Sequence, residues 1–183
     1  MVKKILTVCV TTLIFCSTLK ATELSYSNFE IHYGNNDGTE TWGFGVSDEL
    51  NDNVHLIVST INAESDTPEG DLISLGIGYH SPIGRETDVV ISASYIETEF
   101  DVLPFVSKEY GYGLMVGVRS MTSDILEVNA GISHVDVGGS SSADFTFGAV
   151  INLSGSTALI LNSGITLDSE RDLDFAIGFR FSN

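Results

Sequence analysis

The sequence is poor in basic residues, in proline and in cysteine, and it has no helical stripe. Eight Lys and Arg stand against 25 Asp and Glu, a formal net charge of −17 over 183 residues. A nucleic-acid binder needs a basic footprint to displace counterions from phosphates, so that class is excluded. Three prolines and 43% apolar residues exclude a disordered polyacid. No segment places apolar residues at three- and four-residue spacing, which excludes a helical bundle. What is left to explain is a chain both acidic and apolar.

The two cysteines, Cys9 and Cys16, lie within residues 1–21. There Lys3 and Lys4 precede an apolar stretch from Ile5 to Cys16, and Ala21 offers a small residue for cleavage. A transmembrane helix needs about 20 apolar residues, more than this stretch has. Residues 1–21 therefore read as a cleaved secretory signal. Phe15 is bulky where a lipoprotein signal wants a small residue before its cysteine. The mature domain, 22–183, is then cysteine-free, with five basic residues against 25 acidic ones. No disulfide or thiol chemistry is open to it.

What is present is alternation. Ten runs alternate apolar with small or polar residues: 24–34, 40–47, 54–62, 72–80, 88–98, 110–119, 125–135, 145–153, 157–167 and 173–181. Gly, Asn, Asp, Ser and Thr cluster between them, as in an antiparallel meander. One face is bulky: Phe29, Ile31 and Tyr33; Trp42, Phe44 and Val46; Ile73, Leu75, Ile77 and Tyr79. The other is small or charged: Glu30 and His32; Gly43 and Gly45; Ser74, Gly76 and Gly78. A soluble barrel would put the bulky face inside and leave glycine as its solvated exterior. A membrane barrel inverts this, with the bulky face to lipid and glycine in a narrow lumen.

The predicted fold is therefore all-β, an antiparallel up-and-down transmembrane β-barrel of about ten strands, with eight as the alternative. Runs 54–62 and 157–167 are the weak ones. Outward aromatics should form girdles at the two interfaces. Tyr33, Trp42, Tyr95, Tyr110 and Tyr112 fall at one end, and Tyr79, Phe179 and Phe181 at the other. The longer connections, near 35–39, 63–71, 99–109, 136–144 and 168–172, are expected outside and hold most of the acidic charge.

The closing run Leu173-Asp174-Phe175-Ala176-Ile177-Gly178-Phe179-Arg180-Phe181, with the signal and the Gly-rich strands, resembles the small outer-membrane β-barrel proteins of Gram-negative bacteria. The resemblance implies residence in the outer membrane among lipid and lipopolysaccharide, and a final Phe read by the barrel assembly machinery. Here Ser182 and Asn183 follow Phe181, a departure from that pattern. A monomer is expected, with no nucleic-acid partner.

Inward charges must be paired. Arg119 and Glu127 flank one turn, and barrel closure would bring Arg180 to Glu30, with His32 and Asp174 as further members. A structural network is the favoured reading, and a narrow cation-leaning pore the alternative. Glu64, Asp66, Glu69 and Asp71 in one outer loop, and Asp168, Glu170 and Asp172 in another, offer oxygen ligands for weak Ca²⁺ or Mg²⁺ binding. Otherwise no cofactor is expected, and no specific metal site. The best catalytic candidate, His134 with Asp136 near Ser133, Glu97 and Glu99, has no specific spacing, so no catalytic residue and no enzyme is predicted. Gly138 to Ser142 reads as a flexible loop tip.

Overall fold

A computed structural model of the chain describes residues 24–36, 39–64, 70–102, 105–167 and 173–182. Period-two alternation over nearly the whole of these residues folds as ten strands. They are β1 (Asn28–Asn36), β2 (Thr39–Asn51), β3 (Val54–Glu64), β4 (Gly70–Pro82) and β5 (Thr87–Val102), then β6 (Phe105–Ser123), β7 (Leu126–Val137), β8 (Ser140–Asn152), β9 (Thr157–Thr166) and β10 (Leu173–Ser182). Each is antiparallel to its sequence neighbours, and β1 pairs with β10 to close the barrel. Closure leaves no unpaired sheet edge, the condition for strands to stand in lipid.

The register sends the bulky face outward. Ile73, Leu75, Ile77 and Tyr79 of β4 are about half exposed, while the intervening Ser74, Gly76, Gly78 and His80 are buried. The same alternation runs down β10, with Phe175, Ile177 and Phe179 outside. The weak runs are both full strands, so the count is ten. β3 pairs along its length with β2 and β4, and β9 with β8 and β10. β9 reads as apolar on both faces because Ala158 and Ile160 turn inward and pack with Val150 in a small dry cluster.

Three expectations are corrected. The first run was expected to begin as strand at 24, but β1 starts at Asn28 and residues 24–27 are non-strand. The segments 99–109 and 136–144 were expected as loops, yet β5, β6, β7 and β8 run through most of both. The acidic residues there stand on strand ends. Gly138 and Gly139 form a two-residue turn with φ of 61° and 83°, the left-handed geometry a tight hairpin requires, and Ser140–Ser142 belong to β8.

The end carrying residue 24 and Ser182, with the turns near 52, 84, 124 and 154, is called the terminal end below. The opposite end is the distal end.

Candidate functional site

The inward face is mostly Gly, Ser, Thr and Asn, so any large or charged side chain on it governs the lumen. At the terminal end several converge. Arg119 on β6 grips Glu127 on β7 with two hydrogen bonds, Nε to Oε1 at 2.8 Å and an Nη to Oε2 at 3.0 Å. Arg180 on β10 donates to the same Oε2 at 3.0 Å and to Glu30 on β1 at 2.6 Å. Two guanidinium groups and two carboxylates thus balance, and Glu127 is only 4% exposed. Desolvating these charges is costly, and the fork geometry of Arg is what offsets it.

The segment before β1 completes the closure. Tyr26 is 3% exposed and lies inside the mouth. Its ring stacks on His80 at 3.6 Å between centroids and 6° between planes, with the Arg119 guanidinium 4.4 Å from its centroid. Its hydroxyl donates to Asp88 at 2.9 Å, and its amide to Glu49 at 3.2 Å. Ser47 donates to its carbonyl, Arg119 to the carbonyl of Ser25, and Ser27 to Asp48. Burial pushes the Tyr26 phenol well above its usual range, so it remains a donor. His55 on β3 faces His80 on β4, their Nδ1 atoms 3.3 Å apart.

Beyond this constriction lie two cavities in series. The terminal one, about 330 Å³, touches Tyr26, His32, Met115, Arg119 and Arg180. The distal one, about 430 Å³, is lined by Gly34, Asn35, Thr41, Ile61, Gly164 and Asp174, with no Lys or Arg among its lining residues. They meet at Asn129, Thr146 and Asn162, which line both. Gly148 sits behind this belt, and a Cβ there would run into the Asn129 and Asn162 carboxamides. Glycine at this position is what lets the two amides lie against the wall.

The site residues expected from sequence divide accordingly. Glu30, Arg119, Glu127 and Arg180 form one network, with His32 at its margin, 4.0 Å from Glu30. Asp174 does not join it: it stands at the other end of β10 and lines the distal cavity. Trp42, Tyr79, Tyr95, Tyr110, Tyr112 and Phe179 all face outward. Tyr33 packs on Trp42, Tyr95 on Tyr110, and Phe29 on Phe181 at the terminal end.

Of the proposed cation ligands, Asp66, Glu69, Asp168, Glu170 and Asp172 lie outside the described residues. Glu64 stands opposite Glu40 in register, and Asp71 opposite Glu99, taking a hydrogen bond from Asn62. Among the described residues no three His, Asp or Glu are gathered as metal ligands. Lys108, on β6 distal to Tyr110, bridges Glu97 at 3.1 Å and Glu99 at 2.7 Å. His134 lies on the outer face beside Tyr112, on the strand face opposite Ser133, while Glu97 and Glu99 are engaged by Lys108 two strands away. Ser133, Glu97 and Glu99 are therefore not gathered around His134.

Sequence reasoning missed Tyr26, His55, His80 and Asp88. A signal was there: Tyr26 shares the inward parity of Glu30 and His32, and a large aromatic ring on a face otherwise small or charged must fill the lumen.

No family model and no curated protein matches the sequence. Solved structures do match. The NanC porin aligns over 85% of this chain and 100% of its own with a TM-score of 0.57 and 7% identity. The KdgM porin in complex with disordered oligogalacturonate aligns over 85% and 99%, with a TM-score of 0.55 and 11% identity. The fold is that of outer-membrane β-barrel proteins. The N-terminal β-barrel domain of Pseudomonas aeruginosa OprF is a further match, over 85% and 96%, with a TM-score of 0.50 and 13% identity. At these identities the likeness is one of fold, and a small outer-membrane-type barrel is what it establishes.

Proposed function

We propose that this chain is a small monomeric barrel of the bacterial outer membrane, exported through its N-terminal signal and closed at its periplasmic mouth when at rest. Its role is structural or one of surface interaction, without catalysis. The observation that carries this reading is the terminal mouth, where Tyr26 and the Arg119–Glu127–Arg180–Glu30 network occupy the passage. The half-exposed outer wall of Leu, Ile and Val between aromatic belts supports residence in lipid. Above the distal belt, Glu40, Glu64, Asp71, Glu97 and Glu99 stand on outward strand ends. They would meet an anionic lipopolysaccharide surface, which favours a habitat where salt or divalent ions screen the repulsion.

A narrow cation-leaning pore is the second reading, favoured by the two cavities in series and by the lack of basic residues in the distal lining. Flotation with phospholipid vesicles tests membrane insertion, and bilayer recording at neutral pH separates the two readings. The closed barrel predicts insertion without discrete current steps. Steady steps at neutral pH would favour the pore, and failure to float would sink both.

A further inference from the structure

The two imidazoles beside Tyr26 stand next to the Arg119–Glu127–Arg180–Glu30 network rather than in it, and are placed to control the closure. His55 and His80 are both buried, 4% and 7% exposed. They face each other Nδ1 to Nδ1 at 3.3 Å. Such a contact holds one proton: one nitrogen donates it and the other accepts. A second proton would set two N–H groups head to head at hydrogen-bond distance.

The surroundings decide which ring gives way. The imidazole of His55 lies over Gly78, where a Cβ would overlap it, so its back is against the wall. The backbone of His80 is tied to Asn53 through its amide, 2.8 Å, and its carbonyl, 3.0 Å, and only its ring is left to move. That ring carries the stacked Tyr26. The charged groups facing the pair are Arg119 from β6, which lies against Tyr26, and the carboxylates of Glu49 and Asp88, which hold the amide and hydroxyl of Tyr26. Glu49 is opposite His55 in the β2–β3 register. Glu127 is already engaged by two arginines. Two added charges therefore crowd Arg119 and compete with Tyr26 for the nearby Glu49 and Asp88 carboxylates.

We propose that Leu24–Ser27 is a removable plug and that double protonation of the His55–His80 pair releases it, so that the barrel acquires an acid-gated conductance. The small inward residues above the mouth then leave the two cavities as the conducting path. The carboxylates that hold Tyr26 at rest would line the opened mouth and favour cations. This rests on the membrane-spanning reading above and adds a function to it.

The test is single-channel recording of the protein purified from membranes, at about pH 7.5 and in steps down to about pH 4, from above the ordinary imidazole range to well below it. The expected result is a closed barrel at the higher pH and cation-selective steps at the lower. Tyr26→Ala should open at both, at least about tenfold more often than the parent at neutral pH, as losing the stack and the phenol hydrogen bond implies. Asp88→Asn leaves the ring in place but weakens its anchor, and should raise opening at neutral pH less. His55→Gln, which can bond His80 but cannot take a proton, should lose the pH response. A protein that floats with vesicles but stays closed at low pH, or a folded Asp88→Asn that opens no more than the parent, overturns the plug. A pH response retained in His55→Gln overturns the switch. Failure to float instead overturns the reading on which both rest.

Discussion

The two halves of one lumen are built on opposite plans. The terminal half is filled: two arginines, two glutamates, two histidines and a tyrosine converge from six strands and the segment before β1. The dry contact of Val150, Ala158 and Ile160 lies at the same end. The distal half is kept empty by what its residues lack, with Gly34 and Gly164 bare in its lining and Gly148 giving up a side chain so that Asn129 and Asn162 fit. The same ten strands supply both halves. A narrow barrel is thus closed or left hollow by a handful of inward positions, at little cost to the sheet.

The sharpest way to break the contrast is to remove the carboxylate at its centre. Glu127→Ala would leave both arginines without their shared partner in a nearly dry site. It should destabilise the barrel by about 3–5 kcal/mol, read as a lower urea midpoint for unfolding from lipid vesicles. Glu127→Gln keeps the volume and should cost less. A loss no larger than that of a surface substitution would mean the network does not hold the terminal half.

The distal half can be filled instead. Gly148→Val forces the Asn129 and Asn162 carboxamides off the wall, at a cost of about 1–3 kcal/mol from overpacking. The same change should lower conductance in the Tyr26→Ala background, because it narrows the belt where the cavities meet. Asp174→Lys should reduce the cation preference of that opened barrel. An unaltered reversal potential would exclude Asp174 from the path. The smallest effect is expected outside the lumen: Lys108→Met removes two ion pairs at an exposed strand end and should not shift the melting temperature measurably, as exposed pairs contribute little.

Much of this was legible from residue order. In a barrel the face of each side chain follows from parity alone, so Glu30, Arg119, Glu127 and Arg180 could be assigned to the interior before any coordinates. The pairing of Arg180 with Glu30 followed from closure of the first strand on the last. The limits of the strands were less legible. Hairpin pairing carried β5 on to Val102 and starts β6 at Phe105, through residues that composition assigns to a loop, because each added cross-strand bond stabilises the next. Asp174 was grouped with the charges by sign, but its height along β10 separates it from them.

Sequence by itself determined the class of this protein. Alternation with a glycine-rich second face has one economical solution, a closed barrel with its bulky side in lipid, because unpaired strand edges cannot be left there. Only the tertiary structure decided what the lumen holds. Residues 24–27 leave the strand pattern and fold back into the mouth, and His55, His80, Asp88 and Arg119 meet around Tyr26 from positions far apart in the chain. Parity tells which way a side chain points, but its neighbours across the lumen depend on the curvature of the whole sheet, which no local pattern encodes.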